Sequence, residues 1–264
     1  MCCPELVQSA LAGVSVPAGH GEIAPAVRFA DPAGAQFRRL ADLTHVITPD
    51  FPIFPFYKPF SMRSLAVVDR EGFCANELCY AEHVGTHIDA PAHFVSGGAT
   101  VEQVPASSLI APLAVVSLVE RAARDEDALV GVDDLLAWER RHGRIPAGAV
   151  VALHSGWETR VGDSARFLGT DASGAMHSPG WSGEAIAWLV AERAINGAAT
   201  DTISLDAGNS TTYDAHRALL GAGKYGLENV ANLGTVPPAG ATLIVGAPKH
   251  RGGTGGPSRV LALF

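Results

Sequence analysis

What most restricts the fold of this chain is an alternation along it. Short β-branched runs at residues 113–119, 149–153, 200–205, 241–245 and 259–264 read as strands. Between the first three lie two longer helical stretches. Residues 132–141 carry an apolar stripe at helical spacing, with Asp133 and Asp134 where a first turn favours acids. Residues 182–194 open with Ser182, a good capping residue. A shorter helix is expected at 213–220. Strands that alternate with helices pack in layers, so the class is α/β.

With 264 residues the chain has length for one large domain or two small ones. It shows no internal repeat and no dividing linker. The reading is a peripheral extension at residues 1–36, with a short helix at 5–14, followed by one domain at 37–264. Hydrophobic residues make up 47% and charged residues 17%, a balance that builds a core and argues against disorder. The net charge is -8 and no Lys/Arg cluster stands out, so nucleic acid is not an expected partner. No apolar run reaches 18 residues, so no membrane-spanning helix is expected. The first residues lack a basic leader and a continuous apolar stretch, and Cys2, Cys3, Cys74 and Cys79 form no C-x-x-C pair. A reduced, cytoplasmic chain follows as the expectation.

Residues 49–60 interleave Pro49, Pro52, Pro55 and Pro59 with Phe51, Phe54, Phe56, Tyr57 and Phe60. Prolines this dense forbid a helix. The loop either walls a pocket or packs on the surface.

The chemistry is concentrated at residues 83–93, which hold His83, His87, Asp89 and His93. Gly85 and Pro91 disfavour a helix. In an extended chain all four odd-numbered polar residues would share one face, with Val84, Thr86, Ile88, Ala90 and Ala92 on the other. Pro91 places such a strand at a sheet edge or strand end. Imidazole nitrogen and carboxylate oxygen together suit Zn²⁺, Mn²⁺ or Fe²⁺ rather than Ca²⁺ or Mg²⁺. Further ligands are needed, and His216 and Glu228 are the downstream candidates. Spacing supports them only weakly, since a lone helical histidine is more often a surface residue.

Other motifs are weaker. No G-x-S-x-G elbow is present. Gly252-Gly-Thr-Gly-Gly256 fails the dinucleotide pattern and reads as a tight loop near the site, and Gly221-Ala-Gly-Lys224 is followed by Tyr225 where a P-loop needs Ser or Thr. Trp157 and Trp181 either line an aromatic pocket or pack in the core.

The pattern His83-x-Gly85-Thr86-His87-x-Asp89-x-Pro91-x-His93-Phe94 resembles the signature of the bacterial cyclase family, which includes kynurenine formamidases, isatin hydrolases and some polyketide cyclases. His216 and Glu228, twelve apart, resemble its second ligand group. The stretches Gly156-Trp157, Pro179-Gly180-Trp181-Ser182, 201–206, 246–249 and 252–259 are similar to its isatin-hydrolase-like branch. The resemblance runs from about Leu40 to the C-terminus. It implies a mixed β core, partly barrel-like and flanked by helices. It implies one or two divalent ions, Zn²⁺ or Mn²⁺, held by His83, His87 and Asp89, with His216 and Glu228 serving a second ion, or with Glu228 joining the first and His216 sitting behind it. His93 would be the general acid/base. The implied reaction is hydrolysis of a small amide, cyclic or N-formyl, on an aromatic compound. The implied assembly is a homodimer or homotetramer, with a neighbouring subunit helping to close the pocket. Metal-dependent ring closure of a polyketide and a non-catalytic metal-binding scaffold are the alternative readings.

Overall fold

A computed structural model describes residues 37–264. The helix expected at 5–14 and the boundary at residue 36 lie outside or at the edge of the described residues.

Nine strands form one sheet: β1 (Leu40–Asp42), β2 (His87–Asp89), β3 (Ile110–Ser117), β4 (Val150–His154), β5 (Gly197–Thr200), β6 (Tyr225–Glu228), β7 (Ala241–Gly246), β8 (Gly255–Pro257) and β9 (Arg259–Leu263). Their spatial order is β1-β9-β7-β3-β4-β5-β6-β2-β8. The four central strands, β3 to β6, are mutually parallel. Helices α1 (Val132–His142), α2 (Gly183–Arg193) and α3 (Asp214–Gly221) lie in the three connections between them. This is the alternation read from the sequence, because parallel neighbours need a crossover. The remaining pairings are antiparallel.

The topology forces curvature. β8 and β9 are separated only by Ser258, yet β8 closes one end of the strand order and β9 stands second from the other. A flat sheet of nine strands at about 4.8 Å spacing cannot satisfy that, so the sheet curls into a half-barrel. A bridge between Thr44 and Val230 and a hydrogen bond from Ala231 N–H to Leu43 C=O tie the two flanks together.

Alternate residues of β4 show how the core divides. Val150 and Ala152 join a cluster with Leu43, Ile88, Leu227 and Val260, drawn from strands all round the sheet. Val151 and Leu153 join Leu135, Trp138, Ile186 and Leu189 of the helix layer. A strand buried on both faces reads as a continuous apolar run, as 149–153 does. Ser182 caps α2 as expected, accepting from Ala185 N–H at 3.0 Å.

Two expectations are corrected. The third strand ends at Thr200 and starts at Gly197, whereas residues 200–205 were expected to be extended. Beyond Thr200 the polar side chains find local partners that compete with a ladder. Thr200 and Thr202 hydroxyls bond each other at 2.6 Å, and Asp201 turns aside to accept N–H bonds from Ser155, Gly156 and Trp157. Residues 83–93 are likewise extended only at His87–Asp89. Gly85 takes a left-handed turn at φ 64°, and Pro91–His93 forms a 3₁₀ turn with proline in its first position. β2 is an interior strand, paired with β6 and β8, and Pro91 lies past its end, so no ladder bond is lost.

Candidate metal centre

The site forms at the carboxyl ends of β5 and β6, where β6 pairs with β2. Parallel strands commonly place ligand sites at that end. His87 and Asp89 alternate onto one face of β2 as the sequence requires. His83 arrives from before the Gly85 turn, and His93 folds back through the 3₁₀ turn to stack on His83 with ring centroids 3.9 Å apart. Turns rather than strand alternation thus bring these two in. Glu228 ends β6, directly opposite His87 in the β2 pairing. His216 comes from the first turn of α3, and it is buried rather than a surface histidine.

The sequence-expected residues meet in two triads that share Asp89: His83, His87, Asp89 and Asp89, His216, Glu228, with one ligand atom from each within 4.8 Å of the others in its triad. His83 Nδ1 lies 2.7 Å from Asp89 Oδ1, and His87 Nε2 lies 3.3 Å from both Asp89 Oδ1 and Glu228 Oε2. His216 Nε2 is 3.0 Å from Glu228 Oε1 and 3.7 Å from Asp89 Oδ2.

Tautomers follow from the outer partners. His87 Nδ1–H donates to the Gly85 carbonyl at 2.9 Å, and His216 Nδ1–H donates to Asp206 at 2.6 Å. Both rings therefore point Nε2 inward, the arrangement metal-binding imidazoles adopt. His87 Nε2 and Asp89 Oδ2 are buried with no hydrogen-bond partner. Unpartnered buried polar atoms are costly, and a divalent cation satisfies both. The residues present therefore fit a metal.

The electrostatics agree. Burial opposes charge on His87, but Asp89 and Glu228 override it and push the imidazole up to about 10. Burial opposes charge on Asp89 too, yet the His87, His216 and His83 rings beside it hold it well below the usual carboxylate range. Glu228 is also held low, against burial and the Asp89 charge, by His216 and His87. Two ionised carboxylates in a dry site need compensating positive charge. His93 differs: desolvation dominates and pushes it down to about 4, so its ring is neutral.

Sequence reading missed the supporting residues. Asp206 accepts from Ala215 N–H at 2.7 Å and from the His216 ring, fixing α3 and its histidine together. The Leu205 N–H donates to Glu228 at 2.8 Å. Thr254 contacts His83 Nε2 at 2.9 Å, so the glycine-rich loop does lie beside the site. An aspartate ending a β-branched run, ten residues before a helical histidine, is the signal that could have found Asp206.

A cavity of about 200 Å³ opens over the triads. The proline-aromatic loop walls it with Phe54, Phe56 and Tyr57, and Phe94, Ile203 and Tyr213 complete its apolar lining. Trp157 and Trp181 are outside it. Both are 1% exposed in the core, with indole N–H groups bonded to Phe167 C=O and Ala199 C=O.

Comparison with known proteins places this geometry. Residues 41–207 match the Cyclase family model. Isatin hydrolase from Roseibium aggregatum is 33% identical over 97% of this chain and 97% of its own length. Kynurenine formamidase from Paracidovorax citrulli is 29% identical, covering 78% of this chain and 88% of its own. The crystal structure of an isatin hydrolase bound to the product analogue thioisatinate superposes with a TM-score of 0.81 at 34% identity, covering 85% of this chain and 92% of that one. Among the described residues no helix is long and apolar enough to cross a membrane. The chain belongs to the cyclase family, and within it to the metal-dependent hydrolases of carbon–nitrogen bonds other than peptide bonds.

Proposed function

We propose that the substrate is a small, uncharged cyclic amide fused to an aromatic ring, the class to which isatin belongs. The observation that carries this is the cavity lining: aromatic and aliphatic walls, with no lysine or arginine among the described residues that form it. N-formylkynurenine carries an amino-acid carboxylate, and a buried carboxylate needs a cationic partner. A bicyclic lactam needs none. The volume of about 200 Å³ lies below the roughly 300–1,000 Å³ of pockets for drug-sized ligands, which suits a compact ring system.

His83, His87 and Asp89 hold the first divalent cation in this reading, and Asp89, His216 and Glu228 offer a second position. The donor set of imidazole nitrogens and carboxylates favours Zn²⁺ or Mn²⁺. When bound, such a cation lowers the pKa of water from 15.7 to about 7 and polarises the amide carbonyl. The chain's own residues do the rest. The apolar walls orient the ring and exclude bulk water. His93, neutral and beside the ligands, accepts a proton as water adds to the carbonyl and returns it to the nitrogen as the C–N bond breaks. The products are a carboxylate and an amine on the same ring.

Assembly as a homodimer or homotetramer is part of the proposal. Its support is the two-stranded hairpin of Ser61–Ala66 and Ala75–Cys79, which exposes Met62, Leu65, Phe73 and Leu78. Exposed apolar groups gathered on one element mark an interaction surface. A reducing, cytoplasmic setting accords with the free, exposed Cys74 and Cys79.

The test is turnover of isatin against N-formylkynurenine by protein reconstituted with Zn²⁺ or Mn²⁺, in ¹⁸O-labelled water. The expected result is a higher kcat/KM for isatin, with label in the new carboxylate. Preference for N-formylkynurenine would overturn the substrate reading, and unlabelled product would overturn hydrolysis.

A further inference from the structure

We propose that Glu82 and Thr254 form a relay that holds His83 in its metal-binding tautomer, and that presenting this relay is the role of the glycine-rich loop 252–256. The proposal rests on the metal reading above.

Proton counting carries the argument. The Thr254 hydroxyl donates its single proton to Glu82 Oε2 at 2.6 Å, and the Thr254 N–H donates to the same oxygen at 3.0 Å. A hydroxyl that has given its proton can only accept from a further partner. His83 Nε2, 2.9 Å away, must therefore carry the hydrogen. In the neutral ring, the form that binds a metal, that leaves the Nδ1 lone pair aimed at Asp89 Oδ1, 2.7 Å away. Two bare acceptors at that distance repel, and a positive centre between them removes the conflict. His83 thus presents Nδ1, whereas His87 and His216 present Nε2. The other Glu82 oxygen is held by His250 Nε2 at 2.8 Å.

The loop's glycines fit this task. A Cβ on Gly253 would stand 2.2 Å from His250 Nε2 and 2.8 Å from Glu82 Oε1. A Cβ on Gly255 would stand 2.3 Å from the Ile88 carbonyl oxygen and 2.7 Å from His83 Cε1. Side chains on either flank of Thr254 would push the relay apart. The motif is glycine-rich because it runs in contact with Glu82, His250 and His83.

Both residues act through His83, so they are positioning residues. Four variants test this: Thr254→Val, Thr254→Ser, Glu82→Ala and the double variant Glu82→Ala/Thr254→Val. The readout is Zn²⁺ affinity of the metal-free full chain by chelator competition, with circular dichroism confirming the fold of each. Loss of an outer-shell partner typically weakens metal binding about 10–100-fold. Thr254→Val and Glu82→Ala are each expected to show such a loss. Thr254→Ser is expected to bind as the wild type. The double variant is expected to bind no worse than Thr254→Val alone, because the two groups act as one unit. Multiplying losses, an unchanged Thr254→Val, or a Thr254→Ser as weak as Thr254→Val would overturn the relay while leaving the metal reading standing. A wild-type chain that takes up no Zn²⁺ would overturn both.

Discussion

Glu158 lies away from the triads and makes a stringent test of the structure's electrostatics. It sits in the 3₁₀ turn Trp157–Arg160, accepts from the Asn232 N–H, and faces Asp201. Burial, reinforced by the Asp201 charge, raises its pKa from 4.5 to about 7. The folded state therefore holds a proton that the unfolded state releases between these two values. Below pH 4.5 the side chain is neutral in both states and affects stability equally. As pH rises from 4.5 towards 7, the unfolded chain gains by ionising and the fold loses stability, and above 7 the loss is complete. A shift of about 2.5 units at 1.36 kcal/mol each gives about 3 kcal/mol. Glu158→Gln keeps an acceptor for Asn232 and never ionises. Urea unfolding should show the variant and wild type alike at pH 4, with the variant more stable by about 3 kcal/mol at pH 8. For a chain of this size that corresponds to roughly 6–12 °C in Tm. Carrying out both series in chelator removes metal linkage from the comparison. A stability difference independent of pH, or a variant less stable at pH 8, would refute the reasoning.

Other consequences bear on the site and the core. Asp89→Ala, which removes the carboxylate shared by both triads, should abolish metal uptake measured by elemental analysis. His93→Ala should retain metal while kcat falls by about 10²–10⁴-fold, the usual worth of general acid–base help. Phe56→Ala removes a cavity wall that is 74% exposed and packs at a tilt against Tyr57 with ring centroids 4.3 Å apart. It should leave Tm nearly unchanged and raise KM for an aromatic substrate by about 2–10-fold, the worth of one aromatic contact. Trp157→Ala should lower unfolding stability by about 3–5 kcal/mol in urea denaturation, because that ring packs in the core, and because it packs with Ile203 and Phe54 of the cavity wall KM should rise as well.

The layers of the fold were legible because their signals are local. The runs at 149–153 and 241–245 and the helices at 132–141 and 182–194 fall within a residue or two of β4, β7, α1 and α2. The misplacement of β5 is equally instructive. Residues 197–200 read Gly-Ala-Ala-Thr, too small to look like a strand, yet all four are buried. A Cβ on Gly197 would sit 2.6 Å from the Tyr225 carbonyl oxygen, so small side chains are what lets β5 and β6 pair there. The β-branched residues just after it are claimed by hydrogen bonds from a neighbouring loop.

Residue type and spacing in the sequence pointed to the chemistry: two histidines, an aspartate and a third histidine within eleven positions offer the donor types that suit a divalent metal. Composition, acidic overall and without a Lys/Arg cluster, argued against a nucleic-acid partner and supplied material for a core. Only the tertiary structure decided how the donors are armed. The tautomer of each imidazole depends on Gly85, Asp206 and Thr254, and the last lies far along the chain from the histidine it serves. It also decided that the cavity wall is the proline-aromatic loop while Trp157 and Trp181 are core. Hydrogen-bond direction and burial are properties of neighbours in space, and the curling of the sheet, which brings β8 round to β2, is what makes those neighbours.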